Sequence, residues 1–341
     1  MSRTARSWFW TVGIWLGMLV PSTVQGQSQL STPPPVSQRP VSLHTILPAD
    51  VLARAELFGE DLEKIRFEMG QPKARPFELV VSDVAPREVI YQALALFHNA
   101  NQLYLEVTET PGAELAIDLP QETKPFHVWR IVNAAYARLL AVKQALGIHE
   151  RSTERARDEA TTPTEVFGPI VEANRQLQLL IRNRISTRDV YQQVSLATHY
   201  AERLLERFPG AAPIATPPAF ERGKRPVDVY NLLVRCHARV YGIMVSLGFT
   251  ALRLEAARPE AGMLDPAAVR PSEVYEVATL IVSELAYLHA RLDDSEPPVP
   301  VRDVGLRIPS HVYRQAKALL LELDRLEGEV KANPSWHMEG R

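Results

Sequence analysis

The chain has 341 residues, and 46% of them are hydrophobic, which is enough for a substantial core in one large or two ordinary domains. Its formal net charge is -2, from 38 basic and 40 acidic residues that follow one another without a long run of one sign. This composition excludes a largely disordered chain. It also offers no electrostatic footprint for DNA or RNA, so we expect no nucleic-acid partner.

The first 26 residues have the organisation of a signal peptide. Arg3 and Arg6 precede the apolar run WFWTVGIWLGMLV, and Val24 and Gly26 stand where a cleavage site is expected. The run is shorter than the roughly 20 residues that a membrane-spanning helix needs. We therefore expect cleavage near Gly26, export, and no integral membrane span in the mature protein.

Residues 27–47 are rich in proline and serine and predict a flexible linker. Cys236 is the only cysteine, so an exported chain of this sequence forms no internal disulfide. Proteins released to the outside often carry disulfides, and their absence favours a periplasmic location.

A short phrase recurs along the rest of the chain. It consists of Pro or Thr, any residue, an acid or histidine, and then valine. Its eight copies start at Pro48, Pro86, Pro125, Pro163, Thr187, Pro226, Pro271 and Pro309. Proline suits the first helical position and an acid two residues on suits the helix N-terminus, so each copy predicts a helix start. His127 and His311 replace the acid in two copies and predict weaker caps there.

The residues that follow each valine form a helical stripe. At offsets 0, 4, 7, 11, 14 and 18 from the valine, 47 of the 48 positions are apolar, and Arg184 is the exception. This pattern predicts an all-α fold of eight amphipathic helices, each about 20 residues and about 30 Å long. Each stripe must be buried against neighbouring helices.

The intervals between the copies predict the topology. Most are 38 or 39 residues, which leaves about 16 residues for an extended strap that returns to the level of the helix start. Neighbouring helices are therefore expected to run parallel. The interval of 24 residues between the fourth and fifth copies predicts an antiparallel hairpin. The interval of 45 residues, with Ala251 and Leu254 continuing the stripe, predicts a sixth helix that is two turns longer.

We predict a duplicated four-helix arrangement, with helical repeats 1–4 in residues 48–185, repeats 5–8 in residues 186–331 and a tail in residues 332–341. A degenerate solenoid of helical hairpins is the alternative. Tetratricopeptide arrays hold two helices in each period, whereas each period here holds one, so we assign no family. Whether the two halves form one array or two domains is left open.

The sequence contains no motif of a known reaction. It has no HExxH, CxxCH, phosphate-binding loop, dinucleotide fingerprint or GxSxG elbow. Cys236 stands at a stripe position, which indicates a small core residue rather than a nucleophile. The nine histidines are scattered. We expect no catalytic residue, no cofactor and no metal.

An aromatic residue follows the repeated valine in six copies. These residues are Trp129, Phe167, Tyr191, Tyr230, Tyr275 and Tyr313. They can lock each helix start against its neighbour. Alternatively, parallel helices bring them together as a patch for a partner or a small ligand.

Three functions follow as hypotheses. The first is an exported, non-enzymatic helical repeat scaffold that binds a protein partner in the cell envelope. The alternative is a periplasmic bundle that binds a small ligand as a sensor or carrier, and it requires a dry internal cavity of several hundred cubic ångströms. The third is an enzyme with an unrecognised site, which requires a cleft with convergent polar groups.

Overall fold

The structure is a computed structural model that describes residues 46–73, 79–115, 122–153, 158, 160–182, 184–208, 216–255, 269–291, 296–299 and 305–333. The predicted signal peptide lies outside these residues, as do nearly all of the predicted linker and most of the predicted tail. The described helices belong to one compact unit. None of the described helices has the length and apolar character needed to cross a bilayer.

Within the described ranges the fold is all-α, as predicted. The eight helices are α1 (Pro48–Glu68), α2 (Pro86–Thr108), α3 (Pro125–Ala145), α4 (Pro163–Leu180), α5 (Thr187–Leu205), α6 (Pro226–Ser246), α7 (Pro271–His289) and α8 (Pro309–Ala332). Each begins at the Pro or Thr of one copy of the phrase. Two short strands, β1 (Val81–Ser82) and β2 (Arg253–Leu254), pair in antiparallel fashion.

All eight helix starts use the same hydrogen bond. The third residue of each helix accepts a hydrogen bond from the backbone N–H of the residue before the helix, at 2.5 to 3.2 Å. His127 and His311 accept it through Nδ1, at 3.0 and 3.2 Å. The two histidines therefore satisfy the same donor as the six acids, but a neutral ring adds no negative charge at the helix N-terminus.

The helices form two four-helix bundles with the same neighbour order. In the first bundle, α1 and α2 each pack against α3 and α4, so α1 lies opposite α2. In the second bundle, α5 and α6 each pack against α7 and α8, so α5 lies opposite α6. These are closed bundles rather than a linear array of hairpins. That they arose by duplication stays a prediction.

The helices within each bundle run parallel. The first and fourth residues of α5, α6, α7 and α8 line one recess, so all four helices of the second bundle start at one end. In the first bundle, Val84 N donates to Thr164 Oγ1 at 3.2 Å beside the starts of α2 and α4. Asn99 Nδ2 donates to Asn174 Oδ1 at 2.9 Å midway along the same helices. The predicted parallel direction is therefore observed, although successive helices such as α1 and α2 lie opposite each other and are not closely packed neighbours.

The predicted reversal of direction between α4 and α5 is present, because the two bundles start at opposite ends, but the predicted packing of these helices as a hairpin is wrong. Among the described helices these two are not a closely packed pair, because each buries its stripe in a different bundle. Leu177 of α4 is part of the first core and Val194 of α5 is part of the second. The short connector thus reverses the direction of the chain between two bundles instead of closing a packed hairpin.

The predicted extension of α6 is also wrong. The helix ends at Ser246, and Gly248 follows in the left-handed conformation, with φ at 76°. Phe249 N donates to Met244 O at 3.0 Å, which closes the end as a Schellman motif. Leu254 therefore lies in β2, where it pairs with Val81 of the first bundle's connector.

The predicted stripes form the two cores. The first five stripe positions of every helix are at most 5% exposed. Because the helices are parallel and start together, equal offsets fall at the same level. At offset 7 of the first bundle, the opposed helices α1 and α2 supply Phe58 and Leu96, while α3 and α4 supply Ala135 and Ala173. Small residues across one diagonal thus make room for large residues across the other.

The second bundle uses the opposite diagonal at that level. The residues at offset 7 are Ala197 on α5, Cys236 on α6, Ile281 on α7 and Leu319 on α8. The large pair therefore comes from α7 and α8 here, so the two cores are built from the same plan with different side chains.

The bundle core can be tested on α8, where two leucines differ only in burial. Leu323 is 0% exposed and Leu321 is 43% exposed. We expect Leu323→Ala to lower the free energy of unfolding by about 2 to 5 kcal/mol, because it leaves a cavity. Leu321→Ala is the control and should cost less than about 0.5 kcal/mol in the same urea titration. Equal losses would contradict the assigned stripe.

The histidine cap of α3 gives a pH prediction. Burial, and then the positive charges of Arg130 and Lys124, lower the pKa of His127. Only the neutral ring accepts at Nδ1, so the cap contributes stability above the unfolded pKa of about 6.5 and loses it as the pH falls through the lowered value. His127→Glu should add about 0.5 kcal/mol at pH 7 and remove this acid loss. Urea unfolding at pH 5 and 8 checks it.

His149, which is exposed and caps no helix, provides the control through His149→Glu. If His149→Glu changed the pH dependence as much as His127→Glu, the cap would not be its source.

Candidate functional site

The aromatic residues that follow the repeated valines lie over the seams of the second bundle. The ring of Tyr313 on α8 lies 4.2 Å from Lys224 Nζ, just before α6. The ring of Tyr191 on α5 lies 4.3 Å from the guanidinium of Arg307, just before α8. Each ring thus covers the boundary between its own helix and a neighbour.

The other two tyrosines cover the remaining seams. Tyr230 on α6 is 3% exposed; burial, together with the charge of Glu276 on α7, raises its pKa to about 12. Burial, and then Asp189 on α5, raise the pKa of Tyr275 on α7. The four rings therefore follow one another around the bundle, from α6 to α7, α5, α8 and back to α6.

The structure does not bring all six aromatic residues together. Phe167 is 1% exposed and Trp129 packs partly buried against the first core. Arg87 near the start of α2 bonds Glu284 near the end of α7, so the two bundles start at opposite ends. The rings thus form two separate groups, and their role as a partner or ligand patch stays a prediction.

Cys236 and its neighbour His237 are enclosed in the second bundle. The thiol is 0% exposed and donates to the carbonyl oxygen of Ala316 at 3.6 Å, and burial raises its pKa to about 12. Burial also lowers the pKa of His237 to about 4. The thiol therefore stays protonated and out of reach of a substrate in this arrangement. Across the described residues, no group of three or more His, Cys, Asp or Glu could hold a metal ion.

A buried ionic centre joins α1 to α3. Asp61 is 1% exposed and accepts hydrogen bonds from Lys143 Nζ at 2.6 Å, Tyr136 Oη at 2.8 Å and Ser152 Oγ at 2.8 Å. Burial alone would raise the pKa of this carboxyl, but the hydrogen bonds outweigh it and lower the pKa. The centre is fully partnered, which indicates a structural role.

An open cleft of about 870 Å³ lies where the two bundles meet. We call it the inter-bundle cleft. Its walls come from α2, the end of α4, the connector to α5, α5 and the start of α7. Its polar lining includes Tyr91, His98, Asn99, Gln102, Gln178, Arg184, Arg188, Asp189, Gln192, Gln193 and Tyr275.

The cleft carries an excess of positive charge. His98, Arg184 and Arg188 are exposed in it. The lining carboxylate, Asp189, accepts from Ser186 N at 2.8 Å and Ser186 Oγ at 2.7 Å as the cap of α5. Two arginine cations thus face the cleft together with one carboxylate, and that carboxylate already caps α5.

One feature of the sequence indicated this site. Arg184 is the single polar residue at a predicted stripe position. In the structure α4 ends at Leu180, so Arg184 lies beyond the helix and lines the cleft. The other lining residues gave no signal, because the sequence does not specify which helix faces meet between the two bundles.

Comparison with protein-family models, with curated proteins and with solved structures gave no significant match.

Substitution of Tyr230 on α6 and of Tyr313 on α8 distinguishes a role in packing between helices from a role in partner binding. We expect Tyr230→Ala to cost about 3 kcal/mol of unfolding free energy, because the ring is buried. Tyr313→Ala should cost less, because its ring is only partly buried. Thermal and urea unfolding measure both. Losses of similar size would contradict the assigned difference in burial, and a loss of partner binding without a loss of stability would favour the patch interpretation.

Proposed function

We propose that this chain is an exported, non-enzymatic helical scaffold that binds a protein partner in the cell envelope, with the inter-bundle cleft as the binding site. The export part rests on the signal-peptide pattern of residues 1–26. The binding part rests on a single observation, which is the wide, open, mixed-polarity cleft that both bundles line.

The form of the cleft favours a polypeptide over a small molecule. Small-ligand sites enclose most of the ligand's surface and are lined mainly by apolar groups. The inter-bundle cleft is open to solvent, and the partly exposed amide side chains of Gln102, Gln192 and Gln193 line it. Amides of this kind can pair with both donors and acceptors of an extended peptide backbone.

The bundle interiors give less support to the small-ligand alternative. The recess on the axis of the second bundle, at the helix starts, has a volume of about 10 Å³, room for about one water molecule. The stripe positions of both cores are filled by buried side chains. A sensor or carrier with a dry cavity of several hundred cubic ångströms requires far more space.

The charge of the cleft favours a partner segment that contains Asp or Glu. Exposed Arg184 and Arg188 lie four residues apart along the connector and the start of α5, with His98 in the facing wall. Arginine pairs with carboxylates in bidentate geometry, and complementary charge speeds association and selects partners. Such binding should weaken as salt is added.

Site-specific photocrosslinking in native cells tests this proposal. A photoreactive residue at His98 should crosslink one envelope protein through a segment that contains acidic residues. The double variant Arg184→Glu and Arg188→Glu should remove the product and weaken binding of the purified partner more than tenfold.

Two controls make the result specific. A photoreactive residue at Leu140, which is 42% exposed on α3, should not give the product. The double variant Arg130→Glu and Arg235→Glu has the same change in net charge at exposed sites outside the cleft and should bind normally. Crosslinking from both positions alike, or binding that survives reversal of the cleft charges, would overturn the proposal.

A further inference from the structure

Helix α7 is buried on two opposite sides. Its core stripe faces the second bundle, and the opposite side packs against the first bundle. On that second side, Leu280 is part of the first core, Ser283 is 0% exposed, Glu284 is 1% exposed and Glu276 is 6% exposed. We call this contact between the bundles the joint. It contains several ionisable groups, whereas the first five stripe positions of every helix in the two cores are apolar.

A compact ionic cluster forms one part of the joint. Arg87 Nε on α2 lies 2.8 Å from Glu88 Oε1 and donates to Glu284 Oε2 at 2.9 Å. The Arg87 guanidinium also donates to the carbonyl of Thr250 and lies over the ring of Tyr287 at 4.4 Å. One cation therefore serves two buried carboxyl groups, and the cluster is neutral when one of the two holds a proton.

The backbone ties the same cluster to the end of α6. Leu252 N donates to Glu284 Oε1 at 3.3 Å, and Leu252 itself is buried in the first core. His237 on α6 is the other ionisable group near Glu284, and burial keeps its ring neutral at pH 7 by lowering its pKa to about 4. Burial, and then Glu284, raise the pKa of Glu88 well above its usual value.

Glu276 forms the other part of the joint. Its Oε2 has no hydrogen-bond partner among the described residues. The charged and titratable groups around it are Glu273 on α7, Glu172 and Arg175 on α4, and Tyr230 on α6. Two carboxylates and one guanidinium thus face it, so ionisation of Glu276 would add a buried negative charge that Arg175 alone must balance.

We propose that the joint is a proton-controlled latch, in which the bundles close on each other while Glu276 holds a proton and part when it is lost. Parting would move the walls of the inter-bundle cleft, because Tyr275 and Thr279 of α7 line one side and α2 lines the other. The latch thus regulates the site of the proposed function and rests on that function for its biological meaning.

The direction in which pH shifts the balance between the closed and the open joint follows from the pKa of Glu276. Burial, and then Glu273, raise this pKa to about 8, against 4.5 for a solvated carboxyl. Through Glu276 the closed joint therefore binds about one more proton than the open joint between these two values, and Glu88, whose pKa is also raised, adds to the effect in the same direction. Closing is most favourable at low pH, and the ratio of closed to open molecules falls by up to about tenfold per pH unit until about pH 8.

Thiol labelling of the full chain measures this ratio. Ser283→Cys places a nearly isosteric thiol in the joint, and native Cys236 in the second core reports unfolding of the bundle. The rate of reaction with iodoacetamide is expressed for each thiol relative to that of a free thiol. On this scale the introduced thiol should react at least tenfold faster than Cys236. Its protection should fall up to about 100-fold between pH 6 and 8.

Two variants identify the titrating group. Glu276→Gln should reduce the pH-dependent change in protection by at least tenfold, because the amide does not ionise, and the change that remains belongs to Glu88 in the ionic cluster. Asp324→Asn removes an exposed carboxylate on α8 and should leave the change intact. In the unsubstituted chain, hydrogen exchange of Glu255 gives a second reading, because its N–H donates to Val80 O across the β1–β2 pair at 3.0 Å.

Three outcomes would overturn the latch: equal labelling of the two thiols, protection that does not change with pH, or an unchanged pH dependence in Glu276→Gln. These measurements need no partner. A latch without a cleft-specific crosslink would contradict only the proposed function, and a cleft-specific partner without pH-dependent opening would contradict only the latch.

Discussion

The architecture depends on one constraint, which is that the helices of each bundle start at the same level and run in the same direction. A parallel bundle of this kind gathers the N-terminal N–H groups and the positive dipole ends of four helices at one end. Every helix start therefore needs residues that satisfy or remove these N–H donors and that suit the positive end of the dipole. Seven starts use a proline that lacks an N–H, all eight use a side chain that accepts from the residue before the helix, and a valine opens each core.

Parallel packing also explains why the two bundles meet in opposite directions. Helix dipoles add within a parallel bundle, whereas α2 and α7 run antiparallel where the bundles join, so their dipoles oppose. The arrangement makes α7 unusual, because it needs one face for each bundle. Its second face carries Glu276 and Glu284, and burying such groups costs stability unless they are paired or protonated. The joint is thus a second part of the fold, besides the His127 cap of α3, where pH is expected to act.

The candidate site arises from the same meeting of bundles. No single helix makes the inter-bundle cleft; it forms between the polar faces of α2 and α5, the end of α4 and the start of α7. The positive charge of the cleft and the buried carboxyl groups of the joint both lie where the two bundles meet. The same contact between the bundles can therefore both bind an acidic segment in the cleft and respond to protons in the joint. Each of these two proposals is tested by its own experiment.

The sequence by itself determined the local structure. The phrase and the stripe gave the class of fold, the start of every helix and the core residues, because capping and periodicity are properties of a short stretch of chain. The predictions failed where the structure depends on contacts between distant parts of the chain. Helix α6 ends before Gly248, although Leu254 keeps the stripe in phase. Helices α4 and α5 pack in different bundles, although their connector is short. Arg184 broke the pattern and so marked the cleft, whereas Glu276 gave no signal, since a carboxylate on a polar face reads as solvated. Only the tertiary structure decided the neighbour order, the joint and the cleft. Eight nearly equivalent stripes can be buried in many pairings, and the choice among them rests on contacts between residues far apart in the chain.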